Sequence, residues 1–396
     1  MPLLAQTKPA SGPVARYDMR AGTVTGVGAM GRGMGSAMGM MFGGGSSAPQ
    51  HELYLRLGSS QASAKGAPKA DHFMPPVAKL GKSVPLTTPQ AEREARDELP
   101  QMGNEKPKGR LLIFWGCGEH APKGQPVVID FAKMAAGQVP PGMWSNTVLR
   151  DWGPTLANSK TFGRWPNEDT MGGNKAIRTD ASLIGAHRVA GNYSPEMAFN
   201  LQKDFMGPLN VSTSSLPSGA GMLRWGAVQD ATGYYATLFG GKQGPGGEMG
   251  DMVMWSSSAS RQFGGGLQDW LSPSQVAPLV TNKTVLPPTA TTCIVPAEVK
   301  AATEFRMGTL TAFGPEENFS YPPRPADPKM AWALQWTARI RHRSTTSWMD
   351  MPGMPGGMPG GMSSDDPPTR PQPRPDCRPK GLGGIMGGVL TGRTGC

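Results

Sequence analysis

Alternation of apolar and polar positions runs through the middle of this chain, and helical periodicity is scarce. Leu53, Leu55 and Leu57 alternate with Glu52, Tyr54 and Arg56, the period of a half-buried strand. Residues 110–115, Arg-Leu-Leu-Ile-Phe-Trp, form a nearly continuous apolar run, as expected of a central sandwich strand, and 126–131 resume after a Gly/Pro-rich break. Further strands are predicted at 161–165, 182–190, 197–202, 251–255, 284–286, 291–295, 304–313 and 336–343. In the last of these, Trp336, Ala338, Ile340 and His342 share one face while Thr337, Arg339, Arg341 and Arg343 share the other, which predicts a core face and a solvated charged face. The best helix pattern is short and polar: 90–99, with Thr87 or Thr88 as cap and Pro89 in the first turn.

Patterning and turn chemistry agree best over 222–239. Leu223, Trp225 and Ala227 alternate against Met222, Arg224 and Gly226; Gln229-Asp-Ala-Thr-Gly233 supplies turn residues; and 234–239 are rich in aromatic and β-favouring types. The segment reads as a β-hairpin. The stretch LRWGAVQDATGYYATLFG resembles the strand B and C signature of fibronectin type III-like domains in bacterial secreted proteins, which implies a sandwich for about 206–346. Three further stretches, GRLLIFWGCGEH, CIVPAEV and AFGPEENFSYPPRP, give the whole chain a resemblance to exported proteobacterial envelope proteins. A resemblance of fold implies little about activity.

Length and composition set the domain plan. With 396 residues, two ordinary domains with tails are expected, and Gly and Pro together make nearly a quarter of the chain, which suits many turns between short strands. The expected fold is all-β: two tandem antiparallel β-sandwiches over 51–205 and 206–346, the second fibronectin III/immunoglobulin-like, with disordered ends at 1–50 and 347–396. Disorder is expected at 22–45 because Gly, Ala, Ser and Met carry little side-chain area against a large ordering entropy. The tail contains a Met-Pro-Gly-Gly repeat at 349–362 and a basic, proline-rich stretch at 367–380.

The net charge of +10 is spread along the chain rather than clustered, which argues against specific nucleic-acid binding and for loose attraction to an anionic envelope polymer or membrane surface. No run of about 20 apolar residues exists, so no transmembrane helix is expected. Residues 1–6 resemble the end of a secretory signal, from which export to the periplasm or cell surface is expected. Cys117, Cys293, Cys377 and Cys396, if oxidised, allow three pairings.

Enzyme motifs fail position by position. Lys79-Leu-Gly-Lys-Ser83 ends like a phosphate-binding loop, but Pro76 stands where the first glycine belongs; His51-Glu52 opens a zinc-protease motif, but Leu55 stands where the second His belongs; and no Gly-x-Ser-x-Gly is present. Cys117 and His120 share a tight loop with only half the ligands of a zinc site, and His187 alternates with Leu183 and Val189 as an interior residue would. The expectation is therefore an exported, non-enzymatic envelope protein with a structural or interaction role, contacting envelope components or other copies through its tails. Two alternatives carry named residues. Met349, Met351, Met354, Met358 and Met362 form a thioether string suited to Cu(I), so copper is the one cofactor the sequence suggests. Trp165 with Asp169, and Asp269 with Trp270, pair aromatic and acidic groups in the manner of a glycan platform.

Overall fold

Nearly all of the period-two segments become strands. The structure is a computed structural model that describes residues 12–29, 48–89, 109–135, 138, 149, 153–167, 177–243, 249–262, 266–327 and 330–350. The first strands are β1 (Ala15–Gly26), β2 (Gln50–Ser59), β3 (Ala70–Phe73), β4 (Val84–Pro85), β5 (Arg110–Trp115) and β6 (Val127–Asp130), which runs into the short helix α1 (Phe131–Ala135). There follow β7 (Thr161–Trp165), β8 (Gly185–Gly191), β9 (Met197–Leu201), β10 (Val211–Ser215), β11 (Gly221–Trp225), β12 (Gly233–Gln243) and β13 (Met249–Ser256). Helix α2 (Pro273–Thr281), β14 (Thr292–Val295), helix α3 (Ala297–Ala301), β15 (Phe305–Tyr321) and β16 (Trp336–Asp350) complete the described chain.

Nine strands make one sheet in the order β6-β5-β13-β12-β15-β16-β1-β2-β7, and two small sheets, β4-β3-β8-β9 and β10-β11-β14, complete the set. Neighbours pair antiparallel, except that β1 runs parallel to β16 and β5 parallel to β13. Both small sheets lie on the same side of the large one. Tyr17, Met19, Leu55, Leu57 and Ile340 from the large sheet pack with Val189, Phe199 and Leu201 from the four-stranded sheet. Next to them, Tyr234, Leu238, Val253, Trp255 and Leu310 pack with Leu223, Trp225, Cys293 and Val295 from the three-stranded sheet. The all-β class and sandwich layering follow directly from these two cores.

Several expectations are overturned. Residues 15–26 are not disordered but form a strand inside the large sheet, hydrogen-bonded on both sides. Gly22 is there because space is short: a Cβ would fall 2.6 Å from Glu52 Cγ and 2.9 Å from the Trp270 ring. The boundary expected at 205/206 is crossed by this sheet, since β5 pairs with β13 and β1 with β16. Segment 222–239 is no hairpin. Strand β11 pairs with β10 and β14 while β12 pairs with β13 and β15, so the connection, with Asp230 at φ 63, carries the chain from one layer to the other. Trp225 and Tyr234 still meet, 5.6 Å apart, but across the core. Of 284–286, Leu286 makes only an isolated bridge to Tyr234. The structured region also passes the expected limit at 346, because β16 runs to Asp350. The predicted helix at 90–99, and residues 1–11, 30–47 and 351–396, lie outside the described residues.

A disulfide joins Cys117, just after β5 in the large sheet, to Cys293 on β14 in the small one, across 176 residues of sequence. The pairing left open by sequence is thereby fixed for two cysteines, and a covalent link ties the two layers. Cys117 consequently offers no thiolate to a metal.

Polar groups inside the first core form one closed chain. The Tyr17 hydroxyl lies 2.6 Å from His72 Nδ1, His72 Nε2 lies 2.9 Å from His187 Nδ1, and His187 Nε2 lies 2.7 Å from the Leu183 carbonyl oxygen. That carbonyl can only accept, so His187 carries its proton on Nε2 and accepts at Nδ1. His72 then donates from Nε2 and accepts the Tyr17 hydroxyl at Nδ1. Both rings are neutral in this arrangement. Burial accordingly pushes His72 well below the ordinary histidine value, lowers His187, and raises the Tyr17 phenol. His342, buried in the same layer, is pushed down to about 4, again by burial.

These shifts fix the sign of the pH dependence. Histidines with depressed folded values bind fewer protons folded than unfolded, so the stability they contribute is whole above pH 6.5 and is lost as pH falls below it, for His342 down to about 4. Urea unfolding across that window should show stability falling by up to about 1.4 kcal/mol per pH unit for each of His72, His187 and His342. A flat profile would contradict the neutral chain.

Candidate functional site

The opposite face of the large sheet is where the charges lie. Register places Asp18 beside Arg339 and Arg20 beside Arg341, with Gly22 between Glu52 and Arg343. Asp18, only 1 % exposed, accepts from Arg20 Nε at 2.8 Å, from Arg339 Nε at 3.1 Å and from Arg341 at 2.9 Å to each carboxylate oxygen. Arg341 is equally buried and donates to the Trp270 carbonyl. Arg343 bonds Glu52 at 3.0 Å and lies 4.0 Å over the Trp270 ring. The face predicted to be solvated is thus roofed by 266–272, and its arginines bond inward. The physical reason is β1: by adding Asp18 to the middle of the arginine row, it lets the row be covered with each arginine paired to a carboxylate.

Neither tryptophan of the two aromatic pairs is presented to solvent. Trp165 lies 8 % exposed in the core between the large and four-stranded sheets, opposite Leu55, and Trp270 lies 5 % exposed on the other side of the large sheet. Asp269 keeps a half-exposed carboxylate, 3.6 Å from Arg20, and Asp169 lies outside the described residues. Of the methionine string, Met349, one residue before the end of β16, lies directly opposite Met307 on β15, and Met351, Met354, Met358 and Met362 lie outside the described residues. Among the described residues no group of three His, Cys, Asp or Glu is arranged to hold a metal, and no helix is long and apolar enough to cross a membrane.

An open cleft of about 250 Å³ lies at the end of the second core. One wall is β10, the edge strand of the three-stranded sheet, with the hydroxyls of Thr213, Ser214 and Ser215. The opposite wall is the end of β16 and the start of β15, with Trp348, Asp350 and Arg306; Leu223, Leu238 and Val295 make an apolar floor. Arg306 Nε donates to Asp350 at 3.0 Å. Lys300, on α3, donates to Ser215 Oγ at 2.8 Å, and burial lowers its ammonium from the ordinary lysine value. The arrangement offers an apolar trough, an exposed polar edge strand and an ammonium at the rim, the combination an extended anionic segment requires. The rim was hidden in the sequence because its parts come from three stretches of chain far apart from one another: 213–215, Lys300 with Arg306, and Trp348. A signal for β1 did exist: Tyr17, Met19 and Ala21 alternate with Asp18, Arg20 and Gly22.

Replacing Asp18 by Asn keeps the shape but leaves Arg341 buried without its counter-charge. Chemical denaturation should show a loss of about 3–5 kcal/mol, whereas Asp269→Asn, at a half-exposed pair, should cost less than about 1 kcal/mol. Equal effects would contradict the roofed ionic layer. No protein-family model matches this chain, and no curated protein and no solved structure matches it.

Proposed function

We propose that the chain is an exported, non-enzymatic interaction protein of the cell envelope, and that the cleft edged by β10 is its binding site. The observation that carries this reading is the cleft itself. An edge strand offers backbone hydrogen bonds to an added extended segment, the apolar floor accepts alternate side chains, and Lys300 favours a carboxylate on the incoming chain. The bound class is accordingly an extended peptide segment of acidic character. Export is supported by the Cys117–Cys293 bridge, since structural disulfides persist in oxidising compartments and are rare in reducing ones. The spread positive charge of the chain suits residence next to anionic envelope polymers.

Two measurements test the reading. In the chain recovered from its native cells with free thiols blocked at lysis, peptide mapping should find Cys117 linked to Cys293; two alkylated cysteines would overturn export. On an array of ten-residue extended peptides of varied charge, the protein should select acidic members, and Lys300→Glu should weaken those about tenfold while sparing neutral ones. Selection that ignores charge, or that survives Lys300→Glu unchanged, would remove the cleft from the proposal.

A further inference from the structure

Among the described residues, the outer face of the large sheet is covered over β5 and β6, over the arginine row of β16 and over Tyr235 and Phe313, and is open at Phe239 and Met307. Ile113 on β5 and Ile129 on β6 are buried on this face together with Phe131, while Leu271, Val276 and Leu279 pack over Tyr235 and Phe313. In the open stretch, cross-strand register sets three residues in one row, Phe239 on β12 opposite Met307 on β15 and Met307 opposite Met349 on β16, while Met254 on β13, opposite Phe239, packs against the Ile113 cluster. Residues in register share a face, and directly opposed Cβ atoms of an antiparallel pair lie about 4.5–5.5 Å apart. Met307 is 46 % exposed and Phe239 37 %, so the row is reachable from solvent.

Two opposed methionines differ from two opposed leucines in what they can hold. Each thioether sits at the end of a flexible side chain, so the two sulfurs can converge on one point above the strand pair. Thioether sulfur is a soft, neutral donor: it selects Cu(I) over the hard cations and needs no deprotonation to bind. The charges beside the pair do not oppose a monovalent cation, since Arg306, next to Met307, is tied to Asp350, next to Met349.

We propose that Met307 and Met349 form a surface site for Cu(I). The ion is bound and released in that oxidation state, with no electron transfer. This assignment is independent of the peptide cleft, and either can fail alone.

The test uses the full chain with methyl-labelled methionine, titrated with silver nitrate in chloride-free buffer, Ag(I) serving as a redox-inert stand-in for Cu(I). The Met307 and Met349 methyl resonances should shift together and saturate with the first equivalent bound. They should still do so in the full chain carrying Met351→Leu, Met354→Leu, Met358→Leu and Met362→Leu. Met307→Leu with Met349→Leu, which keeps the apolar surface and the fold, should weaken the tightest site about tenfold or more. Unmoved Met307 and Met349 signals while other methionines shift would overturn the proposal. So would an unchanged affinity in the Met307→Leu, Met349→Leu protein, or loss of the paired shift in the tail variant.

Discussion

The parallel pairing of β1 with β16 joins the two halves of the large sheet. Strand β1 lies between β16 and β2, so it carries the only described ladder linking β2 and β7 to the rest of that sheet. Its register is held from both faces. On the inner face Tyr17 and Met19 sit beside Ala338 and Ile340 in the core; on the outer face Asp18 and Arg20 sit beside Arg339 and Arg341. A slip of β1 by one residue would turn Asp18 and Arg20 into the apolar layer and Tyr17 and Met19 into the ionic one. Burying Met19 contributes roughly 1.5–3 kcal/mol, while an unpaired buried arginine costs about 3–5 kcal/mol, so the charges penalise the wrong register more than the apolar contacts reward the right one.

The same constraint explains the architecture. One sheet long enough to carry two cores side by side can be roofed on its inner face by two small sheets, with the disulfide fixing the three-stranded one at β14. The chain does not close one sandwich before starting the next, because β5 and β6 leave the first half in sequence and join the second in space. At the far end, β16 passes from the first core at Trp336 to the cleft at Trp348. The strand that organises the sheet therefore also furnishes the cleft wall and one of the two opposed methionines.

Local alternation was enough to find most strands, because a half-buried strand writes its burial directly into a period of two. It placed β7 at 161–165 as observed and put Trp336, Ala338, Ile340 and His342 on the core face. Pairing between distant strands leaves no such trace. Segment 15–26 was masked by its surroundings: Ala21 and Gly22 look like the start of the glycine-rich run, yet Gly22 is small because Trp270 and Glu52 press on it. The arginines of β16 were legible as a charged face but not as a covered one, since their counter-charge lies more than 300 residues away at Asp18. Turn residues at 229–233 correctly marked a reversal but could not say whether it joined neighbours or crossed between layers. The cleft and the opposed methionines belong to the same class of information, for both exist only once β15 and β16 are paired.

Hydrogen–deuterium exchange resolved to single amides over residues 15–26 and 336–347 tests the central claim most directly. An interior strand with ladders on both sides exchanges only through large-scale opening, so the amides of 17–24 should rank with the slowest in the chain, alongside those of β16. Exchange of 17–24 at the rate of an unstructured glycine-rich segment, with β16 still protected, would contradict it.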